Sequence, residues 1–113
     1  MQLTKLKSKL YGIKVTDADI ACDGSITIDY RLMEKAGLEE YEQVHVLDIA
    51  NGQRFVTYVI KGEAGEMKVN GAAAKLVTIG DPLIVLAYGI FNQLSAEYEW
   101  AAEYPKKFDG RKV

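Results

Sequence analysis

The sequence predicts a mainly β fold, a small β-barrel with short helices, and three observations point there. Strand-like segments outnumber helical ones along the chain. Turn residues punctuate them at short intervals, as at Asp23-Gly24, Asn51-Gly52 and Gly80-Asp81. The chain has 113 residues, 49 % hydrophobic and 27 % charged, which suits one small core and a single globular domain over residues 1–113. Many short strands in so small a unit are expected to close on themselves.

Residues 3–15 carry Leu3, Leu6, Leu10, Ile13 and Val15 and read as a strand. Thr16-Asp17-Ala18-Asp19 reads as a turn, and residues 20–28 as a strand interrupted by Asp23-Gly24-Ser25. Asp29 can cap a short helix over Tyr30–Ala36, with Gly37 as its stop. Residues 43–50 and 53–60 form the clearest hairpin, where Asn51-Gly52 suits a type I′ turn. A second turn over residues 62–66 leads into a short strand at 67–69, and Asn70-Gly71-Ala72-Ala73-Ala74 opens a helical turn. Gly80-Asp81-Pro82 turns the chain into residues 83–88, an almost unbroken apolar run and so a buried strand. Residues 95–102 suit a helix, and the ending from Lys106 to Val113 reads as loose.

Composition narrows the function. A net charge of −2 disfavours a nucleic-acid partner. The basic run Lys5, Lys7, Lys9 and Lys14 reads as a solvated strand face. Cys22 is the only cysteine, so no intramolecular disulfide forms, in keeping with a reducing compartment. The N-terminus lacks an apolar signal region and no apolar run is long enough to span a bilayer, so a cytoplasmic protein with no membrane partner is expected. A single His45 and a single Cys22 cannot build a His/Cys metal cage within one chain, and no metal is expected. His45, inside the stretch Val44-His45-Val46-Leu47, reads as an ordinary strand residue, and Cys22 as an inert buried thiol.

Four segments together resemble the aspartate 1-decarboxylases, the small pyruvoyl enzymes of pantothenate synthesis. They are Lys9-Leu10-Tyr11 through Lys14-Val15-Thr16 with Ala18-Asp19; Asp23-Gly24-Ser25-Ile26-Thr27-Ile28-Asp29; Asn51-Gly52-Gln53-Arg54-Phe55-Val56-Thr57-Tyr58; and Val69-Asn70-Gly71-Ala72-Ala73-Ala74 followed by Gly80-Asp81. The likeness covers roughly residues 1–90, in the family's order and nearly its spacing. It implies a double-psi β-barrel, a homotetramer with active sites between subunits, and decarboxylation of L-aspartate to β-alanine. It also implies cleavage between Gly24 and Ser25 into fragments 1–24 and 25–113, with Ser25 becoming a pyruvoyl group in place of pyridoxal phosphate. Some members need an accessory maturation factor.

The residue types suit that chemistry. A hydroxyl directly after the bond to be broken can attack the Gly24 carbonyl, and glycine permits backbone angles closed to other residues. The resemblance gives Thr57 a role in that self-cleavage and Tyr58 that of proton donor, which a phenol of pKa about 10 can serve toward a carbanion. It gives Arg54 the substrate carboxylate, which its planar fork can hold bidentately. Lys9 would supply a second cation from a neighbouring subunit, Asn70 an amide near the pyruvoyl group, and Ala72-Ala73 a backbone lying against substrate. Strand alternation puts Arg54, Val56 and Tyr58 on one face, with Phe55 and Thr57 on the other. The family commonly has tyrosine where Cys22 stands, histidine at Tyr11 and tryptophan at Leu47. Two other readings therefore stand beside the first: the same machinery acting on another acidic amino acid, and an unprocessed double-psi barrel that only binds.

Overall fold

In the computed structural model, residues 1–92 and 103–113 are described, and they form the expected mainly β architecture. The strands are β1 (Gln2–Lys14), β2 (Asp17–Asp19), β3 (Ser25–Asp29), β4 (Gln43–Asp48), β5 (Arg54–Gly62), β6 (Met67–Asn70), β7 (Pro82–Asn92) and β8 (Lys106–Asp109). Helix α1 spans Tyr30–Ala36, and 3-10 helices span Gly71–Leu76 and Gly110–Lys112.

The strand order is β2-β6-β3-β5-β4-β7-β1-β8. Only Val15 and Thr16 separate β1 from β2, so one bent segment pairs with β7 at one end and with β6 at the other. That closes the sheet into a small barrel of six walls, with β8 added in parallel outside β1. The seam is held by the Thr16 N–H donating to the Met67 carbonyl and the Met67 N–H donating to Thr16 Oγ1, both at 2.9 Å. β3 runs parallel to β5 and antiparallel to β6.

The core follows from alternation. Ile26 and Ile28, Val44 and Val46, Leu83 and Val85 sit two apart on their strands and are fully buried. Helix α1 adds Leu32, Met33 and Ala36, and the Ser8 hydroxyl ties it to β1 by donating to the Ala36 carbonyl at 2.5 Å.

Asp29 joins three elements. It caps α1 by accepting from the Arg31 N–H at 2.8 Å, accepts from the Gly65 N–H at 2.7 Å and takes the Arg31 guanidinium at 2.6 Å. The Arg31 hydrogen bonds, opposed by burial, hold its carboxyl down at about 2, against 3.8 ordinarily. A depressed carboxyl stabilises the fold above its unfolded pKa and loses that contribution as pH falls. Asp29→Ala should therefore cost about 1–2 kcal/mol at neutral pH, discounted because Arg31 is part-exposed. Denaturant melts should show the gap between wild type and variant closing as pH drops from about 4 towards 2.

Several local expectations give way to side-chain hydrogen bonds. The predicted turn at Thr16–Asp19 contains β2, because the backbone after Thr16 finds β6 as a partner. Residues 20–24 are not strand: Asp19 accepts from the Ala21 N–H at 2.9 Å and from the Cys22 thiol at 3.0 Å and folds them into an exposed turn. The β4–β5 connection is not type I′, since Gly52 has φ +76° but Asn51 does not share a positive φ. It is a longer loop closed by Asp48, whose carboxylate accepts from the Ala50 N–H, and by Asn51, whose side chain accepts from the Gln53 N–H, both at 2.9 Å. The ending is ordered rather than loose: β8 pairs with residues 8–11, and Asp109 binds Arg111 at 2.7 Å. The helix expected over residues 95–102 lies outside the described residues.

Candidate active site

Ser25 opens β3 directly opposite Asn70, the last residue of β6. These strands turn Ile26, Ile28, Met67 and Val69 into the core, so Ser25, Thr27 and Asn70 stand on the outer face of the wall. Ser25 is nevertheless buried, at 5 % exposure. The backbone of Gly71 lies close beside it, with φ +77°. A Cβ at that position would stand 2.6 Å from Gly24 Cα and 2.8 Å from Gly24 N.

The Ser25 hydroxyl donates to the Asp23 carbonyl at 3.3 Å. Asn70 Nδ2 donates to Ser25 Oγ at 3.0 Å and to Thr27 Oγ1 at 3.1 Å. Asn70 Oδ1 is buried with no partner. Leaving such an oxygen unpaired costs about 1–3 kcal/mol, a cost expected at a site arranged for chemistry rather than for stability.

The turn before Ser25 is held by Asp19, whose carboxylate also lies 3.8 Å from Lys68 Nζ. Cys22 is exposed, against the expectation of burial. Its hydrogen bond to the Asp19 carboxylate raises the thiol pKa, and the same bond lowers that of Asp19. That bond favours the thiol over the thiolate.

The predicted residues divide into those near Ser25 and those apart from it. Ile26 pairs with Val59 in the parallel β3–β5 ladder, so one step back along both strands sets Tyr58 beside Ser25 on the outer face. Tyr58 is half-buried, its ring 6.1 Å from that of Tyr41. Thr57 alternates inward with Phe55 and Val59, and among the described residues no hydrogen bond joins it to Gly24 or Ser25. Ala72 and Ala73 follow Gly71 on the 3-10 helix, Ala72 exposed and Ala73 against the core.

Arg54 is exposed near the far end of the β5 outer face, its Nη1 donating to His45 Nδ1 at 3.2 Å. His45 packs edge-on to Tyr88 at 5.1 Å and lines a cavity of about 400 Å³ with Gln43, Tyr88 and Ile90. Lys9 lies on β1, which pairs with β7 and β8 and shares no ladder with β3. It lines a separate cleft of about 350 Å³ with Tyr11, Lys14 and Arg111. Sequence reasoning gave no role to Thr27 or Gly71. An Asn-Gly step hints at the positive φ of Gly71, but nothing local signals that Thr27 meets Asn70.

Comparison with known proteins gives the family. Residues 1–103 match the model of the aspartate decarboxylase family. The aspartate 1-decarboxylase of Thermosipho africanus is 52 % identical over 101 residues, 88 % of this chain and 82 % of that protein. That of Kosmotoga olearia is 53 % identical over 88 residues, 76 % of each chain. That of Campylobacter hominis is 51 % identical over 88 residues, 78 % of this chain and 77 % of that protein. With a buried serine behind an exposed glycine and a family match along nearly its whole length, this chain belongs to the aspartate decarboxylase family and is a carboxy-lyase.

Proposed function

We propose that the chain cleaves itself between Gly24 and Ser25, forms a pyruvoyl group from Ser25 and decarboxylates L-aspartate to β-alanine. The observation that carries this reading is the Ser25 hydroxyl, buried directly after the Gly24 carbonyl and held by Asn70 at 3.0 Å. Ser25 Oγ attacks the Gly24 carbonyl carbon, the C–N bond breaks, and the hydroxyl proton passes to the freed nitrogen, leaving an ester. Loss of the Ser25 Cα proton then breaks the Cβ–Oγ bond and releases Gly24 as a carboxylate. Water hydrolyses the remaining enamine, through its imine, to a ketone and ammonia. Asn70 Nδ2 holds the Ser25 hydroxyl at 3.0 Å beside the bond to be broken, while the oxyanion of the attack forms on the Gly24 carbonyl oxygen. Thr57, half-buried on β5, is the second residue given a part in this step.

The surroundings fit a pyruvoyl group. Position 25 is buried, a donor amide reaches it, and the unpaired Asn70 Oδ1 stands ready to accept from a substrate N–H. A pyruvoyl ketone condenses with an amine and takes up the electron pair released as a carboxylate departs. Tyr58, beside Ser25, supplies the proton that completes β-alanine, and Arg54, apart from Ser25 within its own chain, binds a substrate carboxylate at a site shared between subunits. Ala72 and Ala73 leave room for substrate.

Lys9 serves a neighbouring subunit in a homotetramer. Its place in a separate cleft with Tyr11, Lys14 and Arg111 supports this, as do Tyr41 and Val56, 70 % and 53 % exposed on the side of the wall that carries the site. A cytoplasmic location accords with the lone cysteine.

Intact-mass analysis tests the reading. Fragments 1–24 and 25–113 are expected, the larger blocked at its N-terminus, with borohydride trapping L-aspartate on it. L-Aspartate should turn over faster than glutamate or cysteinesulfinate. A full-length mass that persists after warm incubation, both alone and with extract supplying a maturation factor, overturns it in favour of a binding barrel.

A further inference from the structure

We propose that Asp48 and Asp81 share a single proton, and that this proton latches the β4–β5 loop to the turn before β7 in a pH-sensitive way. Asp48 is 2 % exposed at the end of β4, where it pairs with Leu83 of β7. Its Oδ1 accepts from the Ala50 N–H at 2.9 Å, while its Oδ2 is buried with no partner. The Asp81 carboxyl lies within hydrogen-bonding reach of it, and Asp81 Oδ2 accepts from the Thr78 N–H at 3.0 Å. Two carboxylates can only accept, so neither satisfies the other. A proton on Asp48 Oδ2, donated to Asp81, gives the orphaned oxygen a partner and removes a buried charge.

The surroundings leave that task to a proton. The cations on the elements around the pair are Lys9, Lys14 and Arg111, which line a cleft with Ile49 and Pro82, together with Lys75 of the 3-10 helix and Arg54 of β5. Among the described residues none of them forms an ion pair with either carboxyl. A metal would need more ligands, and among the described residues no group of three or more His, Cys, Asp or Glu side chains gathers to hold one. Burial first, and the Asp81 carboxyl second, raise the Asp48 pKa above its ordinary 3.8.

The latch sits where three segments meet. The Asp48 carbonyl accepts from the Gly52 N–H at 2.9 Å, the Ile49 N–H donates to the Pro82 carbonyl at 3.0 Å, and the Asp81 carbonyl accepts from the Val15 N–H at 3.0 Å. The folded chain keeps the proton at pH values where the unfolded chain has lost it. Its stabilisation is therefore complete below 3.8 and is lost as pH rises through the raised folded value.

Asp48→Asn puts an amide N–H where the acid proton stood, at every pH, and keeps an oxygen for Ala50. Wild type and variant, matched for processing by intact mass, should melt together near pH 4. As pH rises towards 8 the wild type should fall behind by about 5 °C, the effect of one lost interaction in a small domain. Asp81→Asn also places an amide in the pair and should flatten the profile in the same way. An infrared difference spectrum, wild type minus Asp48→Asn, should show a protonated carboxyl at pH about 5, where ordinary carboxyls are mostly ionised. Hydrogen exchange at Ala50 and Thr78 should be faster in the wild type than in the asparagine variant at pH 8.

Parallel melting profiles for the wild type and both variants overturn the shared proton. So does the absence of the carboxyl band. A wild type whose melting temperature rises with magnesium or calcium ions, and which shows no such band, holds a metal ion there instead.

Discussion

Ser25→Ala is expected to fold normally, to remain a single chain of 113 residues and to form no β-alanine. The folded state loses little. Asn70 Nδ2 keeps Thr27 Oγ1 as an acceptor at 3.1 Å, and the alanine methyl occupies part of the serine's volume. The cost is about 1 kcal/mol for one hydrogen bond, too little to unfold a barrel closed on all sides. The chemistry loses everything, since without Oγ no atom can bond to the Gly24 carbonyl carbon and no ketone can form at position 25. Circular dichroism and intact mass report the fold and the uncleaved chain, and an amino-acid assay reports β-alanine. Decarboxylation by the alanine variant would show that the electron sink lies elsewhere.

Gly71→Ala is expected to fold less stably and to slow cleavage by about a hundredfold or more. Two effects combine. At φ +77° an L side chain costs about 1–2 kcal/mol. The added Cβ would also fall 2.6 Å from Gly24 Cα and 3.2 Å from the Cys22 carbonyl oxygen. Both are backbone atoms of the turn that ends at the scissile bond, so neither can swing aside as a flexible side chain would. Residues 22–24 must move, carrying the Gly24 carbonyl away from Ser25 Oγ, and a misplacement of about 1 Å is enough for a hundredfold loss. Gly52→Ala separates the causes, because Gly52 has φ +76° but nothing within 4 Å of an added Cβ. It should lose stability and still be cleaved at the normal rate. Equal cleavage rates for the two variants would show that close approach to Gly24 is unimportant.

Much of this arrangement was legible in the residues alone. Asp29 before an apolar helical run and Gly37 after it bounded α1, and both caps are present. Alternation along β5 put Arg54, Val56 and Tyr58 on one face and Phe55 and Thr57 on the other, as the barrel has them. Such features are local, set by neighbours within a turn or two of chain, and so they can be read in order. The short motifs around Ser25 and Asn70 were legible as a family resemblance.

By itself, then, the sequence determined a mainly β chain, its helix, the faces of its strands and a hydroxyl next to a glycine bond. Only the tertiary structure decided what that hydroxyl meets. Ser25 and Asn70 are 45 residues apart and become neighbours through the register of β3 on β6. Strand register also sets Thr57 on the face opposite Tyr58, Lys9 beside a separate cleft and the final residues against β1. The physical reason is that register and barrel closure come from packing between distant segments. Neither alternation nor turn chemistry carries that information.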